Sequence, residues 1–177
     1  MTRLFVALAL PVPVQDRLQA AQTAMPGARW VSRENFHLTL AFLGDVPPAR
    51  LDDLDEALSD ARGGLFNLAL CGLDLFSRGG LPHTLWVGAE RTPPLLDLQR
   101  SIERSLARSG FTFEKRKFRP HVTLAYLRDA PLDRVAAYIA GHSPLRLPPF
   151  RVDGFRLYSS WPGDGGRDYQ VEADYHF

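Results

Sequence analysis

Residues 37–46 read HLTLAFLGDV, and residues 121–130 read HVTLAYLRDA. Six of the ten positions are identical, and the two stretches begin 84 residues apart in a chain of 177 residues. Each stretch is followed by a proline and then by apolar residues at helical spacing. The repeat therefore predicts a duplicated unit, with two lobes related by a pseudo-twofold axis.

The patterns around the two copies mix strands and helices without strict alternation. The predicted strands cover residues 4–10, 36–43, 65–76, 84–90, 121–127, 150–159 and 169–177. The predicted helices cover residues 13–24, 47–60, 95–106 and 132–140, and the predicted loops include 77–83 and 161–166. This mixture indicates an α+β fold of largely antiparallel sheet, with helices outside and a central cleft that carries the two motifs. We expect residues 1–177 to form a single bilobal domain.

The composition, 45% hydrophobic and 23% charged, is typical of a globular protein. A net charge of +1 argues against a polycation that coats duplex nucleic acid, but it permits a local basic groove. The single cysteine, Cys71, excludes a disulfide framework. The apolar run 4–10 fits a buried strand better than a secretory signal, and no stretch has the roughly 18 apolar residues that span a bilayer. We expect a cytoplasmic monomer with no membrane partner.

Strand geometry predicts the chemistry of the repeat. Because side chains alternate between the two faces of a strand, His37, Thr39 and Ala41 are expected on one face, and Phe42 is expected in the core. The second copy repeats this split, with His121, Thr123 and Ala125 on one face and Tyr126 on the other. A pseudo-twofold axis would make the two polar faces the opposite walls of one cleft.

Two imidazoles and two hydroxyls in one cleft suit in-line displacement at phosphorus. Imidazole titrates near neutral pH, so one neutral ring can activate the entering water while a protonated ring protonates the leaving oxygen. Threonine hydroxyls can donate hydrogen bonds to the non-bridging phosphate oxygens. This chemistry requires no metal ion and no cofactor, and we expect neither. The residues alone do not determine which histidine takes which role.

The paired motifs at 37–40 (HLTL) and 121–124 (HVTL) resemble those of the 2H phosphoesterase superfamily. The stretches RLFVALALP (3–11), RWVSRENFHLTLAFLGDV (29–46), LWVGAE (85–90) and FRPHVTLAYLRDA (118–130) are similar to the RNA 2′,3′-cyclic phosphodiesterases, also called 2′-5′ RNA ligases. The resemblance runs from Arg3 to about Tyr169.

The resemblance implies an enzyme that hydrolyses the 2′,3′-cyclic phosphate at an RNA end and leaves a 2′-phosphate. Some members also carry out the reverse 2′-5′ ligation. By the same resemblance, His37 is the proton donor and His121 is the proton acceptor. Thr39 and Thr123 match the threonines that grip the phosphate.

One position departs from the family pattern. Many relatives have an arginine where this chain has Tyr126, so another positive charge would serve the phosphate or the RNA backbone. Lys117 and Arg119 lie just before the second motif and are the nearest candidates. Tyr126 and Phe42 are further candidates for substrate contact, because RNA ends are often bound by stacking on aromatic rings.

Two alternative functions remain open from the residues. The same site could act on a small cyclic nucleotide or on an ADP-ribose cyclic phosphate. The chain could also be a non-catalytic module that binds single-stranded RNA or nucleotides. The paired histidines argue against a binding module, because binding alone does not require two titrating imidazoles.

Overall fold

The computed structural model describes residues 1–163 and 166–177. Its strands are β1 (Thr2–Ala9), β2 (Ala28–Trp30), β3 (His37–Val46), β4 (Phe66–Leu68), β5 (Leu70–Arg78), β6 (Leu81–Ala89), β7 (His121–Leu127), β8 (Phe150–Val152), β9 (Gly154–Gly163) and β10 (Gly166–His176). Its α-helices are α1 (Val12–Ala20), α2 (Leu51–Ser59), α3 (Pro93–Arg108) and α4 (Leu132–Gly141).

Eight strands form one sheet in the order β10-β9-β1-β3-β7-β6-β5, with β2 paired to β7, and a small second sheet joins β4 to β8. Every pairing is antiparallel. All four helices contribute side chains to one core against the large sheet. The predicted α+β class with antiparallel sheet and helices outside is therefore confirmed.

The two halves of the large sheet meet at a single residue pair, Leu38 opposite Val122, which are the central residues of the two motifs. Beyond that pair β3 and β7 diverge. The segment that precedes the second motif runs beside β3, and the segment that precedes the first motif runs beside β7. Glu114 donates its backbone N–H to the carbonyl of Phe42 at 2.9 Å, and Val31 donates to the carbonyl of Leu124 at 2.8 Å. This reciprocal arrangement is the pseudo-twofold relation that the repeat predicts.

Strand β3 carries a bulge directly after its motif. Thr39 pairs with Ala7 and Ala41 pairs with Val6, so Leu40 has no opposite residue in β1. A bulge of one residue reverses the alternation beyond it. Ala41, 6% exposed, therefore turns into the core, and the half-buried Phe42 turns to the cleft. The predicted positions of Ala41 and Phe42 were wrong for this reason.

Strand β7 carries the equivalent bulge. Thr123 pairs with Trp86 and Ala125 pairs with Leu85, which leaves Leu124 without an opposite residue in β6. Ala125 is fully buried and Tyr126 is half-buried, so the burial pattern along β7 matches that along β3. The expectation that Tyr126 points into the core was wrong for the same reason.

Several predicted boundaries also change. The predicted strand 65–76 is divided into β4 and β5, and 150–159 is divided into β8 and β9, because β4 and β8 leave the large sheet to pair with each other. The predicted loop 77–83 is a two-residue turn, since Gly79 and Gly80 both have positive φ, which a tight hairpin turn requires. Helix 13–24 ends early, at Ala20. The loop expected at 161–166 lies partly outside the described residues, and its described residues belong to β9 and β10.

Candidate active site

The pairing of Leu38 with Val122 sets the arrangement of the four motif side chains. In an antiparallel pair, this register places Thr39 next to His121 and His37 next to Thr123. The two histidines then occupy one diagonal of the crossing, close enough for the charge of His121 to act on His37, and the two threonines occupy the other. All four motif side chains are half-buried on the cleft face, while Leu38 and Val122 are fully buried in the core.

Each imidazole is held by a backbone carbonyl two residues before it. His37 Nδ1 lies 2.7 Å from the carbonyl oxygen of Asn35, and His121 Nδ1 lies 2.6 Å from that of Arg119. A carbonyl oxygen can only accept a hydrogen bond, so Nδ1 must carry the proton in both rings. Nε2 is therefore the nitrogen that gains or loses a proton in each histidine.

His37 is surrounded by aromatic rings from β1, β9 and β10. The ring centre of Phe5 lies 4.8 Å away, that of Tyr169 lies 4.9 Å away in an edge contact, and that of Tyr158 lies 6.2 Å away. Burial among these rings, together with the smaller effect of the nearby His121, lowers the pKa of His37 to about 4, against the opposing effect of the Asn35 carbonyl. The cage therefore favours the neutral imidazole.

His121 has a corresponding aromatic cage in the other half of the sheet. Phe76 makes an edge contact at 4.9 Å between ring centres, and Trp86 lies 5.6 Å away. Burial lowers the pKa of His121, and the positive charge of Arg116 lowers it further, although the Arg119 carbonyl favours the charged form. A phosphate anion in the cleft would raise the pKa of both histidines, because a negative charge stabilises an imidazolium.

A recess of about 300 Å³ opens beside His121. This first recess brings together five residues that the sequence singled out, namely Thr39, Phe42, Lys117, Arg119 and His121. The sequence did not predict the contribution of Gln99 and Glu103, which extend into the recess from α3.

A second recess of about 310 Å³ lies on the far side of the crossing and contains Tyr126. The Tyr126 hydroxyl is hydrogen-bonded to that of Tyr169, and the Arg29 guanidinium lies 4.9 Å from the centre of the Tyr126 ring. Burial raises the pKa of Tyr169. Arg29 and Arg167 line this recess, so they supply positive charge beside Tyr126. Thr123 lines neither recess.

The aromatic cages and α3 are the parts of the site that sequence reasoning missed. Phe5, Tyr169 and Phe76 carry no local signal, because strand pairing alone brings them to the histidines. Gln99 does carry one, since it lies between Leu95 and Ile102 on the buried stripe of α3. A polar residue on the apolar face of a helix is an informative exception.

Within residues 1–163 and 166–177, no group of three or more His, Cys, Asp and Glu side chains is placed to hold a metal ion. No helix in the same ranges is long and apolar enough to cross a membrane.

Comparison with known proteins identifies the family. Residues 10–163 match the family model of the 2′-5′ RNA ligase superfamily, so the chain belongs to that superfamily. A Thermotoga maritima protein named RNA 2′,3′-cyclic phosphodiesterase is 35% identical over 155 residues, covering 85% of this chain and 80% of the relative. A Geobacillus stearothermophilus protein of the same name is 38% identical over 107 residues, which cover 59% of this chain but 34% of that longer protein.

Among solved structures, Escherichia coli LigT complexed with 3′-AMP superposes with a TM-score of 0.76 at 29% identity. The match covers 99% of this chain and 98% of LigT. The family resemblance seen in the sequence is therefore confirmed.

Proposed function

We propose that this protein hydrolyses the 2′,3′-cyclic phosphate at RNA ends and leaves a 2′-phosphate. The observation that carries the proposal is the diagonal pair of histidines, each with Nδ1 tied to a carbonyl and Nε2 left for proton transfer. Two such groups on opposite sides of a phosphate match the entering and leaving oxygens of an in-line displacement. The names of the relatives from T. maritima and G. stearothermophilus support the same activity.

In the proposed mechanism, His121 Nε2 takes a proton from water as the water oxygen bonds to phosphorus. The bond from phosphorus to the ribose 3′ oxygen breaks, and His37 Nε2–H protonates that oxygen. The phosphate remains on the 2′ oxygen, and the two histidines exchange their proton states. Solvent protons then restore the starting forms. If the 5′-hydroxyl of a second RNA end took the place of water, the same steps would bond that oxygen to phosphorus, break the bond to the 3′ oxygen and leave a 2′-5′ linkage, which is the ligation that the resemblance implies.

The threonines are assigned to the non-bridging phosphate oxygens. Thr39 and Thr123 stand on the diagonal that crosses the line between the histidines, which is where those oxygens would lie. Arg116, Lys117 and Arg119 add positive charge at the first recess for the phosphates of an RNA strand. Such contacts give affinity that depends on salt and is independent of base sequence.

Replacement of Thr39 or Thr123 by valine is expected to lower kcat/KM about 100-fold, because each removes one hydrogen-bond donor from the transition-state oxygens. Serine at the same position keeps the hydroxyl and is the matched control, with activity near that of the unmodified protein. Steady-state kinetics on a cyclic-phosphate RNA end measures both. Equal activity of the valine and serine variants would remove the threonines from the mechanism.

The proposal is tested by a product assay. Purified protein is incubated in EDTA with an oligoribonucleotide that ends in a 2′,3′-cyclic phosphate, with the His121→Ala variant as control. We expect a terminal 2′-phosphate from the unmodified protein and none from the variant, because the proposed steps use no metal. A 3′-phosphate product would contradict the assigned leaving group. Activity that is lost in chelator and restored by added metal would contradict the metal-free mechanism. A failure to cleave RNA together with cleavage of small cyclic nucleotides would favour the alternative substrate class.

A further inference from the structure

A groove with an excess of positive charge lies between α3 and the segment that follows α2. Its volume is about 680 Å³, and we call it the α3 groove. The proposed reaction uses none of the residues that line it. Its charged and polar lining consists of Asp60 and Arg62 from the segment after α2, and of Ser101, Arg104, Ser105 and Arg108 from α3.

The three guanidinium groups of the α3 groove have no carboxylate partner. In the part of the chain that the structure describes, six other arginines form ion pairs, but Arg62, Arg104 and Arg108 do not, and all three are exposed. Arg104 and Arg108 are four residues apart on one helix, where like charges repel and destabilise the helix. The C-terminal end of the helix dipole favours Arg108. It does not account for Arg104 or Arg62, so the cluster points to an anionic ligand.

Two buried hydroxyls lie beneath these cations. Ser101 and Ser105 are 7% and 2% exposed, although serine is a weak helix former. Ser101 Oγ accepts the backbone N–H of Arg62 at 2.7 Å, and Ser105 Oγ accepts the guanidinium of Arg108 at 3.3 Å. Each serine therefore ties down one of the arginines, and each hydroxyl retains its own hydrogen to donate. Guanidinium groups and hydroxyls that are held in place in this way are typical donors to phosphate oxygens.

Helix α3 separates the α3 groove from the first recess. Gln99 and Glu103 line the recess from one flank of the buried stripe of α3, and Ser101 and Ser105 line the groove from the other flank. A helix with its side chains is about 10–12 Å thick. An extended single strand covers that distance with a few nucleotides. An RNA whose 3′ end lies in the catalytic cleft can therefore cross α3 and place more distant phosphates in the groove.

We propose that the α3 groove binds backbone phosphates of the substrate RNA, several nucleotides away from the cyclic phosphate. The proposal rests on the proposed function, which identifies the polyanion as RNA. A single nucleotide in the cleft is too short to reach the groove. The protein should therefore distinguish the end of a polynucleotide from a free cyclic nucleotide, through contacts that depend on salt and are independent of base sequence.

The first experiment measures RNA binding without catalysis. A fluorescently labelled single-stranded oligoribonucleotide with a 3′-hydroxyl end is titrated with protein at several salt concentrations, and its anisotropy gives the binding constant. The variant that carries both Arg62→Ala and Arg104→Ala should bind about 10-fold more weakly at low salt, because two phosphate contacts are lost. The slope of the logarithm of the binding constant against the logarithm of salt concentration should become shallower by about 1.4, since each neutralised phosphate of a single strand contributes about 0.7.

The second experiment separates the α3 groove from the catalytic cleft. The same double variant is assayed on the oligoribonucleotide with a 2′,3′-cyclic phosphate end and on a single nucleoside 2′,3′-cyclic phosphate. We expect KM for the oligoribonucleotide to rise about 10-fold with kcat unchanged, because only binding that is equal in the ground state and the transition state is lost. Both constants for the nucleoside cyclic phosphate should equal those of the unmodified protein.

The matched control carries Arg17→Ala and Arg151→Ala. It removes the same amount of charge at exposed positions of α1 and β8, outside the lining of the α3 groove. It should keep the salt dependence of binding and the KM of the unmodified protein. If the groove variant behaved like this control, the proposal would be overturned.

The outcomes for the groove and for the proposed function are distinguishable. Failure of the unmodified protein to cleave either substrate would overturn the proposed function, whereas the binding experiment would still test the groove. Equal losses of activity of the groove variant on both substrates would assign the effect to the cleft or to the fold, and would overturn the groove.

Discussion

Replacement of His121 by alanine is expected to lower kcat/KM by a factor of about 10²–10⁴, and replacement of His37 is expected to do the same. Each substitution removes one proton-transfer group, and positioned general acids and bases contribute rate factors of this size. Both side chains are half-buried on the cleft face rather than in the core, so both variants should fold. Steady-state kinetics and thermal unfolding on the same samples measure the two effects separately.

The two roles can be separated by the leaving group. A substrate in which sulfur replaces the 3′ oxygen has a leaving group that departs without protonation, because a thiol has a pKa of about 8.5. Loss of the proton donor should then matter much less. We expect the sulfur substrate to restore most of the activity of His37→Ala and little of that of His121→Ala. The opposite pattern would exchange the two assignments.

His83→Ala is the control for the His37→Ala and His121→Ala variants. His83 is exposed on β6 and its Nδ1 lies 2.8 Å from the hydroxyl of the neighbouring Thr84, away from both motifs. Its replacement should leave kcat/KM unchanged. If His37→Ala or His121→Ala kept activity comparable to that of His83→Ala, the assignment of the two histidines as an acid–base pair would be wrong.

The second large effect is on stability at acidic pH. Because burial holds the pKa of His37 at about 4 in the folded protein against about 6.5 in the unfolded chain, the unfolded chain binds more protons between these values. The stability associated with the neutral imidazole is therefore fully present above pH 6.5 and is lost as the pH falls to about 4. The loss is expected to reach at most about 3 kcal/mol, since 1.36 kcal/mol corresponds to one pKa unit and the half-buried ring is partly screened by solvent.

The measurement compares the free energy of unfolding of the unmodified protein with that of His37→Gln, by urea titration at several pH values. Other groups also titrate in this range, so the difference between the two proteins is the readout. The difference should change between pH 6.5 and 4 and stay constant above pH 6.5. His176→Gln, at an exposed position of β10, is the control and should follow the unmodified protein. A constant difference across the whole range would show that His37 is not held neutral by burial.

The low pKa of His37 also bears on its role as a proton donor. A neutral ring cannot donate a proton from Nε2, so the substrate itself must promote protonation. An anionic phosphate between the two histidines does this, because it stabilises the imidazolium. Inorganic phosphate should therefore raise the pKa of His37, which nuclear magnetic resonance of the imidazole resonances can follow directly.

The residues of the repeat could be predicted because each copy is a local pattern. His37 and Thr39 share a face since they are two positions apart in one strand, and the same holds for His121 and Thr123. The duplication predicts that the polar faces of the two motifs meet in one cleft. The pairing of Leu38 with Val122 brings the two motifs side by side as this prediction requires. The α+β class and the family could also be predicted, because both follow from short stretches of sequence and from the order of these stretches along the chain.

The faces of Phe42 and Tyr126 could not be predicted, because a bulge depends on how two strands pair and not on the sequence of either one. Leu40 lacks an opposite residue only because β1 pairs with β3 in the register of Ala7 with Thr39 and Val6 with Ala41. The sequence alone predicted which residues carry the chemistry. The tertiary structure decided what surrounds them: Phe5, Tyr169 and Phe76, which lower the pKa values, and Gln99, which faces the first recess. These neighbours come from distant segments, and only long-range packing brings them to the histidines.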